Sequence, residues 1–159
     1  MTITLSYRDL HFDDHRAVML AEETDFEYDL LLAQIAFRVD AADFTIDGHV
    51  PLLDVAARLG AIGGSLADGE TRSYAVPTGR EKLTFVRSGD QVAISANYTA
   101  ATTTVSFAEL ACAASGFHRQ VVQGLLARYP GLDATPGARG YFAVGGASSS
   151  SSSSSSPGA

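Results

Sequence analysis

Ile3, Leu5 and Tyr7 alternate with Thr4, Ser6 and Arg8, the period of a half-buried strand. Residues 9–29 are charged and only weakly periodic. They read as mostly loop, with a short helix around Arg16 to Ala21. From Asp29 to Val39 the odd positions Leu31, Ala33, Ile35, Phe37 and Val39 line one face, while Gln34 and Arg38 lie on the other. This is the strongest strand pattern in the chain, and its length favours a central or curved position. Asp40-Ala41-Ala42-Asp43 reads as a turn and Phe44-Thr45-Ile46 as a short returning strand. Asp47-Gly48 closes it, because that pair accepts positive φ cheaply.

Pro51 suits the first turn of a helix, where its missing N–H costs nothing. Leu52, Val55, Ala56, Leu59 and Ile62 then recur at helical spacing, which predicts a helix over about 51–66, weakened at its end by Gly60, Gly63 and Gly64. Four strands follow at Arg72–Val76, Lys82–Arg87, Gln91–Ala96 and Ala101–Val105. Their separators, Pro77-Thr78-Gly79, Ser88-Gly89-Asp90 and Asn97-Tyr98-Thr99, all have turn chemistry. The gaps are hairpin length, so the pattern is a four-stranded antiparallel meander. Its exit, Ser106-Phe107-Ala108-Glu109, reads as a capping box, with Val105 and Leu110 as the accompanying staple. The helix it opens places Phe107, Leu110, Ala114, Phe117, Val121 and Leu125 on one stripe and stops at Tyr129-Pro130-Gly131. Gly116 in its middle reads as a site of close packing or a bend.

Together these elements predict an α+β domain over residues 1–132. It has an antiparallel sheet built from the N-terminal strand, a hairpin and the four-stranded meander, with one short helix and a long C-terminal helix packed on the sheet. Residues 133–159 turn to Gly, Pro, Ala and the serine run Ser148 to Ser156, and read as a flexible tail. Tyr141-Phe142-Ala143-Val144 is its apolar exception, which reads first as an inert apolar patch in the tail, the alternatives being a segment that docks on the domain or a short motif on a tether. At 159 residues the chain has room for one such domain. No run approaches the roughly 20 apolar residues of a membrane span, and the N-terminus lacks the basic and apolar regions of a secretory signal. The expected address is cytoplasmic.

Charge changes the picture most. Residues 1–60 carry twelve acidic residues against four arginines, whereas residues 61–132 carry five acidic and six basic ones. The net charge of −7 thus belongs to one end. Glu22, Glu23, Asp25, Glu27 and Asp29 fall within eight residues with Phe26 and Tyr28 interleaved and no base among them. Such a segment repels nucleic acid and anionic lipid and attracts a basic protein surface. Glu22, Glu23, Asp25, Phe26, Glu27 and Tyr28 are therefore the candidate partner-binding residues, the acids for steering and the aromatics as anchors.

Catalytic patterns are sparse. His11, Asp13 and His15, at i, i+2 and i+4, could converge on a divalent ion, but no HExxH and no downstream ligand pair accompany them. No cofactor is implied. Gly60-Ala61-Ile62-Gly63-Gly64 ends a helix and is followed by no Lys-Ser/Thr, unlike a phosphate loop. Cys112, the single cysteine, excludes an internal disulfide and reads as a small buried packer in Leu110-Ala111-Cys112-Ala113-Ala114. His118 reads as a hydrogen-bonded histidine on the flank of the long helix, and His49 as a loop residue.

The succession Phe44-Thr45-Ile46-Asp47-Gly48 with Pro51-Leu52-Leu53-Asp54-Val55, then the meander and Val105-Ser106-Phe107-Ala108-Glu109-Leu110, resembles small uncharacterised single-domain proteins of actinobacteria. Some of these are similar to immunity proteins of polymorphic toxin systems. The resemblance covers residues 28–132 and transfers no functional residue. It implies, with the charge pattern, a non-enzymatic binding module, immunity-like or an adaptor, with an acidic face for a basic protein. The alternatives are a structural or cargo component of a larger assembly tethered by its tail, and a small metal-dependent enzyme using His11, Asp13 and His15.

Overall fold

The structure is a computed structural model that describes residues 2–143. It is α+β, with two antiparallel four-stranded sheets and two principal helices between and beside them. In the first sheet β2 (Leu32–Val39) is central: β1 (Ile3–Arg8) pairs on one side, β3 (Ala42–Asp43) and β4 (Ile46–Pro51) on the other. Ala33, Ile35, Phe37 and Val39 of β2 are buried, the alternation that the sequence predicts. The second sheet is the meander β5 (Thr71–Ala75), β6 (Lys82–Ser88), β7 (Gln91–Ala96) and β8 (Thr99–Ser106), in sequential order. The Tyr98 hydroxyl ties the two sheets by donating to the Phe44 carbonyl at 2.6 Å.

Two expectations about the hairpin need correction. The returning strand begins later, at Ile46, and Asp47-Gly48 does not close it but lies inside it. Between the pairs Ala33–Val50 and Ile35–Ile46 two steps along β2 face four along β4. The extra residues bulge out at Gly48, whose φ of +82° only glycine adopts without strain. His49 accordingly sits on the exposed, bulged part of a strand instead of in a loop.

Helix α3 (Leu52–Ser65) begins one residue after Pro51, and its buried face runs from Leu52 to Gly63. Gly63 lets the second long helix, α4 (Phe107–Arg128), approach closely. A Cβ there would stand 2.8 Å from the Ala114 Cβ and 3.3 Å from the Ala111 Cα. The close-packing glycine is thus on α3, whereas a Cβ at Gly116 would meet nothing within 4 Å. The carbonyls that end α3 are satisfied from the meander: Arg72 donates to the Ser65 carbonyl at 3.3 Å and Arg87 to that of Leu66 at 2.7 Å.

Ser106 caps α4, its hydroxyl accepting from the Glu109 N–H at 3.0 Å. The Glu109 carboxylate answers the Ser106 hydroxyl at 2.9 Å, a variant of the expected box. Leu110, Ala114, Phe117, Val121 and Leu125 are buried as predicted, along with His118. The stripe packs chiefly on α3 and β1, and only more lightly on β7 and β8. Cys112 lies on the opposite side of the helix and is exposed, not buried. Two residues beyond Leu110 correspond to a turn of about 200°, which points the side chain away from the stripe.

The domain does not stop at residue 132. A 3₁₀ turn (Leu132–Ala134) and a short helix α5 (Arg139–Phe142) continue it, with Leu132 and Ala138 fully buried. A Cβ on Gly137 would collide with the Ala21 carbonyl and the Glu22 backbone, so this segment is pressed against the acidic arm. Packed structure therefore continues past the boundary expected at residue 133, as far as α5. Val144 and the serine run lie outside the described residues. No helix among the described residues is long and apolar enough to cross a membrane.

Candidate functional site

The arm that reads as mostly loop is two short helices, α1 (His15–Met19), close to the short helix expected around Arg16 to Ala21, and α2 (Glu23–Tyr28), which periodicity does not show. Asp14 starts the first by accepting from the Ala17 N–H at 3.2 Å, and Asp25 starts the second by accepting from the Glu22 N–H at 2.8 Å. Both are short polar side chains that favour helix starts, a local signal present in the sequence but outweighed there by weak hydrophobic periodicity.

Asp13 holds the approach to β2. Its Oδ2 accepts from the Leu31 N–H at 2.7 Å, and Leu31 sits with φ of +56°, a strained value for a bulky residue. Leu31 is nevertheless fully buried. The Tyr129 hydroxyl donates to the Asp13 carbonyl at 2.8 Å, and the His15 ring stacks on Tyr129 with centroids 6.0 Å apart. His11 Nε2 is 3.5 Å from Asp13 Oδ1. His11 and Asp13 thus lie together while His15 is turned to Tyr129, and among the described residues no group of three His, Cys, Asp or Glu is arranged to hold a metal ion.

The candidate partner-binding residues separate into three kinds. Phe26 is completely buried, its ring meeting Tyr141 edge-on at 6.2 Å, so its proposed role as a surface anchor is corrected to core packing. Asp25 caps α2, and Glu27 pairs with Arg58 at 3.2 Å. Glu22, Glu23 and Tyr28 face solvent, Tyr28 at 45 % exposure, with Asp29 beside them. Phe12 and Leu20 are exposed as well, at 50 % and 70 %. Arg128 lies over the Phe12 ring at 4.5 Å.

Behind the arm, α2, α3 and α5 enclose a polar cluster that periodicity does not reveal. Asp54, on the buried face of α3, is 1 % exposed. Its Oδ1 accepts from Arg58 Nε at 2.9 Å, one helical turn on, while its Oδ2 has no hydrogen-bond partner. Burial raises its carboxyl above the ordinary value, against the pull of Arg58. Tyr74, also buried with an unpartnered hydroxyl, is pushed up by burial and then by the nearby Asp54 charge. Tyr141 is pushed up to about 12 by burial, then by Asp54, Glu27 and Glu23. Its hydroxyl donates to the Glu23 carbonyl at 3.0 Å, and its own carbonyl accepts from His118 Nε2 at 2.8 Å. His118 is therefore the hydrogen-bonded helix histidine expected, and it tethers α5 to α4.

A cleft of about 350 Å³ opens onto this cluster, lined by Glu23, Asp54, Arg58, Ala61, Gly140 and Tyr141 among others. Asp54 lies about 200° round the helix from the Leu52–Ile62 stripe, on the face the pattern leaves polar, so the one local signal for the cluster is the i,i+4 spacing of Asp54 and Arg58. No family model, curated protein or solved structure matches the chain.

Proposed function

We propose that this protein is a non-enzymatic binding module whose acidic N-terminal face engages a basic protein, as an immunity-like protein or an adaptor does. One observation carries the reading. Of the four large apolar side chains that are exposed among the described residues, Phe12, Leu20 and Tyr28 fall in the arm that holds the acidic excess. Exposed apolar side chains set among like charges are the composition of a protein interface with a partner of opposite charge. The face is firmly founded, since Phe26, Val18 and the Asp13 clip anchor both short helices in the core. A surface so held loses little freedom when a partner docks.

The test uses the native partner, isolated on wild-type protein and then measured by stopped-flow. Glu23→Gln combined with Asp29→Asn should slow association and flatten its dependence on salt, because exposed charges act mainly on encounter. Leu20→Ser or Tyr28→Ala should raise the dissociation rate instead. Unchanged rates in all three variants would place the binding surface elsewhere.

A further inference from the structure

We propose that the cleft between α2, α3 and α5 is a socket for one basic side chain of that partner, an arginine or lysine head received by Asp54 and Glu23. The proposal rests on the reading of the acidic face given above and adds a specific receptor to it. Within the cleft one buried acceptor is left over. Arg58 gives Nε to Asp54 and Nη2 to Glu27, and the Tyr141 hydroxyl is held by the Glu23 carbonyl. Asp54 Oδ2 remains without a donor although the residue is 1 % exposed. A buried carboxylate oxygen in that state costs stability unless something donates to it. Glu23 stands at the rim, its Oε2 3.8 Å from where a Cβ on Gly140 would lie, and Gly140 leaves the mouth open.

Charge selects the occupant. Glu23, Glu27 and Asp54 outnumber Arg58, so an anion entering the cleft would face carboxylates, whereas a guanidinium or ammonium would find acceptors. The volume of about 350 Å³ lies at the small end of ligand pockets and suits a single side chain. Ala57 and Ala61 on its wall offer an apolar surface for a methylene stem. The Glu23 at the rim also belongs to the exposed acidic face, so a partner steered by that face would arrive with a basic side chain at the mouth.

The experiment is a titration of the full ¹⁵N-labelled chain with Nα-acetyl-arginine methylamide, its uncharged citrulline counterpart, agmatine, and an arginine-containing basic octapeptide. The Gly140 and Ala61 amide resonances are followed. Arginine amide should shift both saturably, with Kd on the order of 1 mM, and the citrulline compound should not. The octapeptide should bind at least about tenfold more tightly than agmatine, since it also meets the acidic face. Asp54→Asn should weaken the arginine response about fivefold or more. Because that change also unpairs Arg58, the rim variant Glu23→Gln and the plug Ala61→Lys serve beside it, the first weakening the response and the second abolishing it.

Citrulline binding as well as arginine, or Ala61→Lys leaving the shifts intact, would overturn the socket. Agmatine matching the peptide would make the cleft a small-amine site and overturn the assignment to a partner's side chain. Peptide binding that is lost on Tyr28→Ala but moves no cleft resonance would sink the socket while leaving the acidic-face reading standing.

Discussion

The two sheets of this protein are built by opposite means. In the meander β5–β8 successive strands are joined by turns, and positive φ falls only on turn glycines such as Gly69 and Gly89. In the sheet β1–β4 and the arm that crosses it, positive φ falls on Asp9, Leu31 and Asp40, and Gly48 bulges a strand. The regular half carries balanced charge. The irregular half carries the acidic excess, three of the four exposed large apolar side chains among the described residues, and one wall of the cleft with the unpartnered carboxylate. Departures from locally favoured structure concentrate where a protein does something other than fold. That contrast directs attention to the N-terminal half and to the α5 segment packed upon it.

The largest test asks whether the arm is part of the core or merely rests upon it. Phe26→Ala should cost about 3–5 kcal/mol in denaturant unfolding, the same range as Phe85→Ala in the meander, because both rings are fully enclosed. A loss below about 1 kcal/mol for Phe26 would show an arm that opens independently, and the two halves would then differ in stability as well as in geometry.

Next comes the seam between the halves. Gly63→Ala forces α3 and α4 apart and should cost about 1–3 kcal/mol, whereas Gly116→Ala, on open helix surface, should stabilise by about 0.5–1 kcal/mol. Equal effects would mean that the helices do not meet as closely as the Ala114 contact requires. Of comparable size, Asp13→Ala removes the clip on Leu31 and should cost about 1–3 kcal/mol. Its counterpart in the regular half, Ser106→Ala, should cost about 1 kcal/mol as an ordinary helix cap. If Asp13→Ala proves the milder of the two, the strained Leu31 backbone does not depend on it.

The smallest effect is a pH dependence. Burial raises the folded-state carboxyl of Asp54 above its unfolded value, so the folded chain holds that proton more tightly. The contribution of this group is most favourable below the unfolded value near 4 and declines as pH rises through the higher folded value. Wild type should therefore lose stability relative to Asp54→Asn as pH increases across that window, by about 1 kcal/mol or less. A difference independent of pH would mean that a donor already neutralises the site.

Much of this architecture is legible in residue order. The burial of alternate residues in β2, the four hairpin strands with Gly or Asn in their turns, and the Ser106 start of α4 all follow from periods of two and 3.6 and from side chains that satisfy nearby backbone groups. These are local devices, complete within a few residues. The acidic excess is likewise a property of the sequence.

What only the tertiary structure decides is which side chains of the charged segment face inward and what they meet. Phe26 enters the core because Tyr141, 115 positions later, is brought back over it, and no local rule links the two. Cys112 is exposed because α4 turns its stripe toward α3 and β1. Asp54 becomes a buried, half-paired carboxylate because α2 and α5 close around α3. Burial is a sum over contacts made at long range, whereas pattern records only the neighbours along the chain. The face was therefore written in the sequence, and the cleft behind it in the packing.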